Sequence, residues 1–587
     1  RRNGNLEKAS WEDAYAVISE NLKSIKSKHG ADSISFISSG RCTNEENYLM
    51  QKFARTVIKT NNIDQSETEC HAPTLHALKD TLGLGTTTNS IQEISNADVI
   101  FVIGANVTES HPIIGLEIKK ALRNGKTLIV ADTRKVWLAK KAQTFLNLQP
   151  GTDTSLVNAL MTVIINEKLH DEKFIEKRTD KFKTLNSAIA KNDIKKAVKL
   201  TGVSQDSIEE AARIYANAEN AIILYGNGIT QHRSGNDNVR SLVNLALLTG
   251  NIGKECSGIY PLMGQNNGQG AFNMGAISDF YTDSQPVSDI NVRKKFEKVY
   301  KTKLPKSKGL QIREMFNAAS KGKVKAMYVM GADPIMSEPD TTKVKKAISK
   351  LDFLIVQDIF MSNTAQYADV ILPAACFAEK DGTFTNIERR VQRVRKTVEP
   401  PGKAKADWNI ISELSTCMGH PMNYSSPEAI WEEIRKISPN FAGINYQRLN
   451  NGGIQWPCPK ADHPGTKFLY EKKFPNGKAM FSSTESKPSS EKPDKSYPFI
   501  LSTGRTLYHF NSGTMTHRAK GSIQKQPYPF VEISQADADD AGIKDGEMVR
   551  VTTKRGQISL AANITNRVMS KQVWIPIHFI TAPANLL

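Results

Sequence analysis

Residues 98–106 read DVIFVIGAN. From Val99 to Ile103 the side chains are all apolar, mostly β-branched or aromatic, and the run stops at Gly104. A short apolar run without polar alternation is a strand covered on both faces, as in a parallel sheet. The same phrase recurs downstream. Residues 126–130 (KTLIV) run into Ala131-Asp132-Thr133-Arg134, and residues 221–224 (AIIL) into Tyr225-Gly226-Asn227-Gly228. Helical periodicity at 113–122, 155–166 and 207–218 separates these strands. Upstream, 11–29 reads as an amphipathic helix, 33–38 as a strand and 45–58 as a helix with Thr43 and Asn44 as candidate caps. A second series follows at 324–329 (VKAMYV), 353–356 (FLIV) and 369–372 (DVIL). Its ends carry Gly331-Ala332-Asp333-Pro334 and Gln357-Asp358. Strands alternating with helices predict an α/β protein with two doubly wound lobes.

In an open α/β sheet, ligands bind beyond the carboxyl ends of the strands. Glycine there lets backbone N–H groups approach a phosphate, and the following helix N-terminus favours its charge. Asp132 and Asp358 stand where an acid could accept from a ribose hydroxyl or a guanine edge. No G-x-G-x-x-G follows a strand, which argues against a conventional Rossmann NAD site. Between the first helices and this series lies 61–78, NNIDQSETECHAPTLHAL. Cys70-His71 sets a thiolate ligand beside a group that titrates near neutrality. Pro73 is expected to keep Ala72 extended, placing the pair on a turn rather than inside a helix.

Beyond Arg389 the pattern loosens. Residues 451–468 (NGGIQWPCPKADHPGTKF) are rich in turn residues, and 482–498 (SSTESKPSSEKPDKSYP) read as a linker. From Pro498 the period changes to two in FILSTG, FVEIS, MVRVTTKRGQISLAANIT and QVWIPIHF, with turns at Lys544-Asp545-Gly546 and Lys554-Arg555-Gly556. That predicts a small all-β unit, a barrel.

With 587 residues the chain can bury a large core, and 39% hydrophobic against 24% charged residues is a globular balance. The net charge of +18 comes from lysines dispersed along the chain, which argues for solvated helix faces and against nucleic acid. None of the six cysteines forms a CxxC, so spacing encodes neither a zinc site nor an iron–sulfur cluster. No apolar run reaches the ~20 residues of a membrane helix.

Residues 36–64 (FISSGRCTNEENYLMQKFARTVIKTNNID) and 69–74 (ECHAPT) resemble the metal-ligand region of molybdopterin-dependent formate dehydrogenases. So do 149–153 (QPGTD), Gly264-Gln265-Asn266-Asn267, 379–393 (EKDGTFTNIERRVQR) and 503–518 (TGRTLYHFNSGTMTHR). The resemblance implies that Cys70 binds molybdenum or tungsten and that His71 handles the substrate's proton. It implies two molybdopterin guanine dinucleotides, held in the second lobe by Gly104, Asn106, Asp132, Arg134, Gly151, Asp153, Gly226, Asn227 and Gln231. Further contacts are implied at Gly264, Gln265, Gly331, Asp333, Gln357, Asp358 and Asp381, and in the C-terminal unit at Thr503, Arg505, Thr514 and Asn585. The implied domains are a discontinuous first lobe (1–65 and 264–390), a second lobe (66–263), an irregular region (391–490) and the dinucleotide-binding barrel (498–587). The family also carries an N-terminal iron–sulfur segment; the sequence begins at Arg1 and reads as a fragment without it. The implied substrate is formate or another small anion, the partner an electron-transfer subunit or ferredoxin-like protein, and the compartment the cytoplasm. One position departs from the pattern: Met263 stands where the family places a carboxylate-gripping arginine. Two alternatives are a sibling enzyme acting on nitrate or a similar oxyanion, and a cofactor-free structural subunit of a respiratory complex.

Overall fold

The computed structural model describes residues 1–487, 489 and 491–587, which fall into two compact units. The first comprises Arg1–Glu69 and Gln265–Thr466, with Leu586. Its sheet is parallel, with strands in the order Val370–Pro373, Phe353–Asp358, Ala326–Met330, Ile34–Ser38, Ile63–Gln65. Ile37, Val329 and Val356 on successive strands pack with Met315 and Val344 from the helices. The helix Trp11–His29 starts at Ser10, whose hydroxyl accepts from the Asp13 N–H, and buries Ile18, Leu22 and Ile25. The helix Asn44–Phe53 opens with a capping box between Thr43 and Glu46, as its sequence leads one to expect, and continues as a π-turn over Ala54–Ile58. That turn brings Arg55 into the core. Its guanidinium donates to the Asn61 and Gln51 side chains and to the carbonyls of Gly275, Ile277 and Phe280. In the loosely patterned region, the helices Asp407–Cys417 and Pro427–Ile437 bury Ile411, Leu414, Trp431 and Ile434.

The second unit comprises Cys70–Gly264 and Lys467–Asn585, with Leu587. Here the parallel order is Thr144–Leu146, Thr127–Ala131, Val99–Ile103, Ala221–Tyr225, Gly258–Pro261. Val99–Ile103 is thus the central strand, buried at every residue. The helices Asp153–Asn166, Gln205–Ala216 and Gly235–Leu248 supply the apolar cover. Each fully buried Leu, Ile or Val among them contributes about 1.5–3 kcal/mol. The C-terminal strands form a mixed five-stranded sheet in the order Ile500–Gly504, Gln572–Pro576, Phe530–Ile533, Gln557–Ile564, Met548–Thr552. Two positions of the expected linker, 488 and 490, lie outside the described residues; its other residues form no helix or strand.

One expectation is corrected. Cys70 and His71 do not sit on a turn but within the first turn of an α-helix, Thr68–Leu82, that also contains Pro73. Pro73, the sixth residue of this helix, lacks the N–H that would bond the Glu69 carbonyl, so the helix forgoes one intrahelical hydrogen bond near its start. The Pro73 ring lies beside Gly235, where an added Cβ would come within 3.1 Å of it.

Candidate active site

The strand ends of the second unit surround a cavity of about 360 Å³. Its wall includes Gly104, Asn106, Asp132, Arg134, Gly151, Asp153, Gly226, Asn227, Gln231, Gly264, Thr503 and Arg505, twelve of the residues singled out in the sequence. The glycines allow an unusually close approach of two strand ends. The Gly228 N–H donates to the Gly104 carbonyl at 3.1 Å, and a Cβ on Gly228 would lie 2.7 Å from that oxygen. Gly104 itself has φ +58°, a left-handed conformation that glycine adopts without strain.

Polar groups in the wall divide into committed and open ones. Arg134 is committed: its guanidinium donates to Glu532 Oε2 at 2.7 and 3.1 Å and lies 3.8 Å from the Trp574 ring centre. Glu532 also pairs with Arg567 at 3.2 Å, so this buried arginine braces the C-terminal sheet against the strand ends. The Asp132 carboxylate accepts from the Arg134 N–H at 2.9 Å, and burial raises its pKa. Asp153 opens the helix Asp153–Asn166, and burial lifts its carboxyl to about 6 against the pull of His232. Asn106 Nδ2 is open: it is buried and has no partner among the described residues.

Cys70 is half-buried, and Gln231 Nε2 in the cavity wall approaches its sulfur to 3.5 Å. His71 is fully buried. Its Nε2 lies 3.2 Å from the Leu262 carbonyl, and its Nδ1 lies 3.1 Å from Thr74 Oγ1, itself 2.9 Å from the Tyr225 hydroxyl. A carbonyl only accepts, so Nε2 carries the hydrogen and Nδ1 accepts from Thr74. Burial depresses the His71 pKa to about 3, so the ring is neutral. Thr514 and Asn585 do not line the cavity; the Thr514 hydroxyl is 3.0 Å from that of Ser512.

Six sequence candidates lie in the first unit. Gln265 Oε1 accepts from Ser66 at 2.9 Å, and Gly331 leaves room for Cys42, whose sulfur would be 2.8 Å from an added Cβ. Asp333 accepts from the backbone and side chains of Asn363 and Thr364. Gln357 donates to Asp407 at 2.6 Å; Asp358 accepts from the Ile359 N–H, and burial raises its carboxyl to about 6. Asp381 is 3.7 Å from Arg393. Cys42, Glu46 and Asp407 of this unit converge as metal ligands would, but Lys380 occupies the centre, 2.9 Å from Glu46 and bonded to Asp407. An ammonium already neutralises that pair.

Sequence reading missed His111, Leu262, Leu501, Trp574 and Ile577 in the cavity wall. His111 carried a usable signal: it follows a strand-end loop and precedes Pro112, the first residue of the helix Pro112–Arg123.

Comparison with known proteins agrees with this geometry. Residues 1–417 match the family described as Molybdopterin oxidoreductase, and residues 499–587 the Molydopterin dinucleotide binding domain. The chain is 46% identical to the F420-dependent formate dehydrogenase subunit alpha of Methanocaldococcus jannaschii, covering all of this chain and 87% of that one. It is 41% identical to Formate dehydrogenase H of Escherichia coli, covering 98% of this chain and 82% of that one. Among solved structures, acetylene hydratase from Pelobacter acetylenicus superposes with a TM-score of 0.79 at 22% identity, over 98% of this chain and 83% of that one, a likeness of fold. With both family matches lying over the sheets described above, the chain belongs to the molybdopterin oxidoreductases.

Proposed function

We infer that this protein is the catalytic, alpha-type subunit of a formate dehydrogenase, oxidising formate to CO2, a proton and two electrons. The observation that carries it is the full-length similarity to formate dehydrogenase alpha subunits, which spans the cavity and the Cys70-His71 pair. The cofactor is a bis-molybdopterin guanine dinucleotide holding molybdenum or tungsten, and the residues fit it. Asn106 Nδ2 is a buried donor awaiting an acceptor, the Gly104 and Gly228 backbones crowd together at the strand ends, and Arg505 adds a cation with no ion pair among the described residues. When bound, the metal–pterin group supplies the two-electron redox chemistry.

The chain's own residues do the rest in this reading. Cys70 Sγ is the protein ligand to the metal. Gln231, beside that sulfur, shapes the approach to it. His71 takes the substrate-side proton; burial keeps its ring neutral, and its single lone pair, on Nδ1, already accepts from Thr74 Oγ1, so that hydrogen bond has to give way when the proton arrives. Arg505 attracts the anion. Electrons leave through a partner subunit or a ferredoxin-like carrier. The compartment we propose is the cytoplasm, and its reducing poise is in keeping with six cysteines that form no disulfide among the described residues.

The test is dye reduction by metal- and pterin-loaded enzyme with formate, and separately oxidation of reduced dye with nitrate. Formate activity that disappears in Cys70→Ala, with pterin content retained and the metal's paramagnetic signal changed, is the expected result. Nitrate turnover without formate turnover would transfer the assignment to the sibling enzymes.

A further inference from the structure

Leu262, Met263 and Gly264 follow the strand Gly258–Pro261, and Leu262 and Gly264 line the cavity. Their three successive carbonyls each accept from a different side chain. Leu262 O faces His71 Nε2 at 3.2 Å, Met263 O faces His111 Nε2 at 2.8 Å, and Gly264 O accepts from Arg505 Nη1 at 2.9 Å. The donors come from three separate places: the helix Thr68–Leu82, the residue before the helix Pro112–Arg123, and the loop after the strand Ile500–Gly504. Each imidazole is also fixed at its other nitrogen, His71 by Thr74 and His111 by Ser110 Oγ at 2.8 Å. The Leu262 N–H is bonded as well, to Tyr225 O at 2.8 Å. At Gly264 the fit is tight enough that an added Cβ would lie 2.1 Å from the Arg505 guanidinium.

A buried carbonyl needs one donor, and a loop satisfies most of its own from its backbone. Three side-chain donors on three consecutive residues instead fix both peptide planes flanking Met263. Those planes set the direction in which the side chain at 263 leaves the backbone. We propose that His111 is a positioning residue, the central member of a His71–His111–Arg505 clamp that holds the Leu262–Gly264 turn and thereby sets the substrate selectivity of the cavity. His111 holds the turn without touching the reacting atoms. The role in selectivity rests on the formate reading above; the clamp itself does not.

The experiment uses the holoenzyme and its variants His111→Leu, which removes the donor, and His111→Gln, whose amide restores one. Amide hydrogen exchange at Leu262 and Met263 is read beside the formate KM and kcat, with cofactor content and melting temperature as controls. In His111→Leu, exchange at the turn should rise at least about tenfold and the formate KM about fivefold, with kcat within about twofold of wild type. His111→Gln should return both toward wild type. Unchanged exchange in His111→Leu, or an equal rise in both variants, overturns the clamp. Raised exchange in His111→Leu alone, in an enzyme that ignores formate, upholds the clamp and removes the formate reading. Should His111→Leu not fold, Ser110→Ala frees the far nitrogen while keeping the Nε2 donor. It should raise exchange at the turn by a smaller factor, and no rise there overturns the proposal.

Discussion

Asp153 is an acid of the cavity wall whose burial works against its charge. Burial lifts its carboxyl from 3.8 to about 6, so the folded state holds the proton more tightly than the unfolded chain does. The stability this contributes is fully present below pH 3.8 and is lost as pH rises through about 6. At pH 8 the buried carboxylate costs on the order of 2–3 kcal/mol. Asp153→Asn should therefore raise the melting temperature of the cofactor-free protein at pH 8 and leave it nearly unchanged at pH 4; equal effects at both would refute the sign. Met263 poses the complementary question. It is only 3% exposed and brings no charge to its place between Leu262 and Gly264, which line the cavity. Met263→Arg should lower the formate KM by about tenfold if the turn accepts the longer chain, since charge-assisted, bidentate contacts to a carboxylate are the strong ones. If Arg505 already supplies that charge, the gain disappears and Arg505→Ala becomes the damaging change, which paired KM measurements distinguish. At this scale the sequence was only partly legible. Cys70, His71 and the strand-end glycines announce themselves by type and place. His111 announces only its place, after a strand-end loop and before Pro112; nothing within its local sequence shows that a carbonyl 152 residues away will need its hydrogen.

Elements were read best where their logic is local. The strand 98–103 and its helical neighbours follow from an apolar run, a glycine stop and a capping residue, and the structure returns them within a residue or two. The helix Thr68–Leu82 was hidden because Pro73 argues against helix unless it falls near the N-terminus, and the starting point is set by tertiary contacts. The helices Asp407–Cys417 and Pro427–Ile437 were hidden for another reason: their flanks are crowded with turn residues that drew the reading away from the periodic cores. Arg134 shows the same limit between elements. It stands among the cofactor-contact candidates and lines the cavity, and its guanidinium is held by Glu532, 398 residues later, a partner that local sequence does not reveal. Removing the acid takes from Arg134, buried beside Trp574, and from Arg567 the carboxylate they share. Glu532→Gln should destabilise the second unit by about 3–5 kcal/mol, read as an earlier denaturation midpoint for that unit. A loss no larger than that of an exposed Glu→Gln control would mean that the pair is not structurally important.

Over the whole molecule the charge is the dominant unbalanced quantity, +18 at neutral pH. In the first unit Lys23, Lys26 and Lys59 lie close enough together to act jointly on His420, whose pKa falls through burial first and their field second. Like charges at that density oppose folding and are screened within about 8–10 Å at physiological salt. Raising KCl from roughly 0.05 to 0.5 M should raise the melting temperature of the cofactor-free chain; a fall would show that favourable ion pairs outweigh the repulsion. The charge pattern leaves the catalytic account untouched, because that account rests on the cavity and the helix bearing Cys70. Its central claim is that this chain, loaded with its metal–pterin cofactor, oxidises formate with Cys70 as the protein ligand. The most direct measurement follows carbon-13-labelled formate to labelled CO2 while counting electrons delivered to a dye, in wild type and Cys70→Ala. The account predicts one CO2 for every two electrons in wild type and none in the variant. Fully loaded wild-type enzyme that leaves labelled formate unchanged, or a variant that converts it at the wild-type rate, would contradict it.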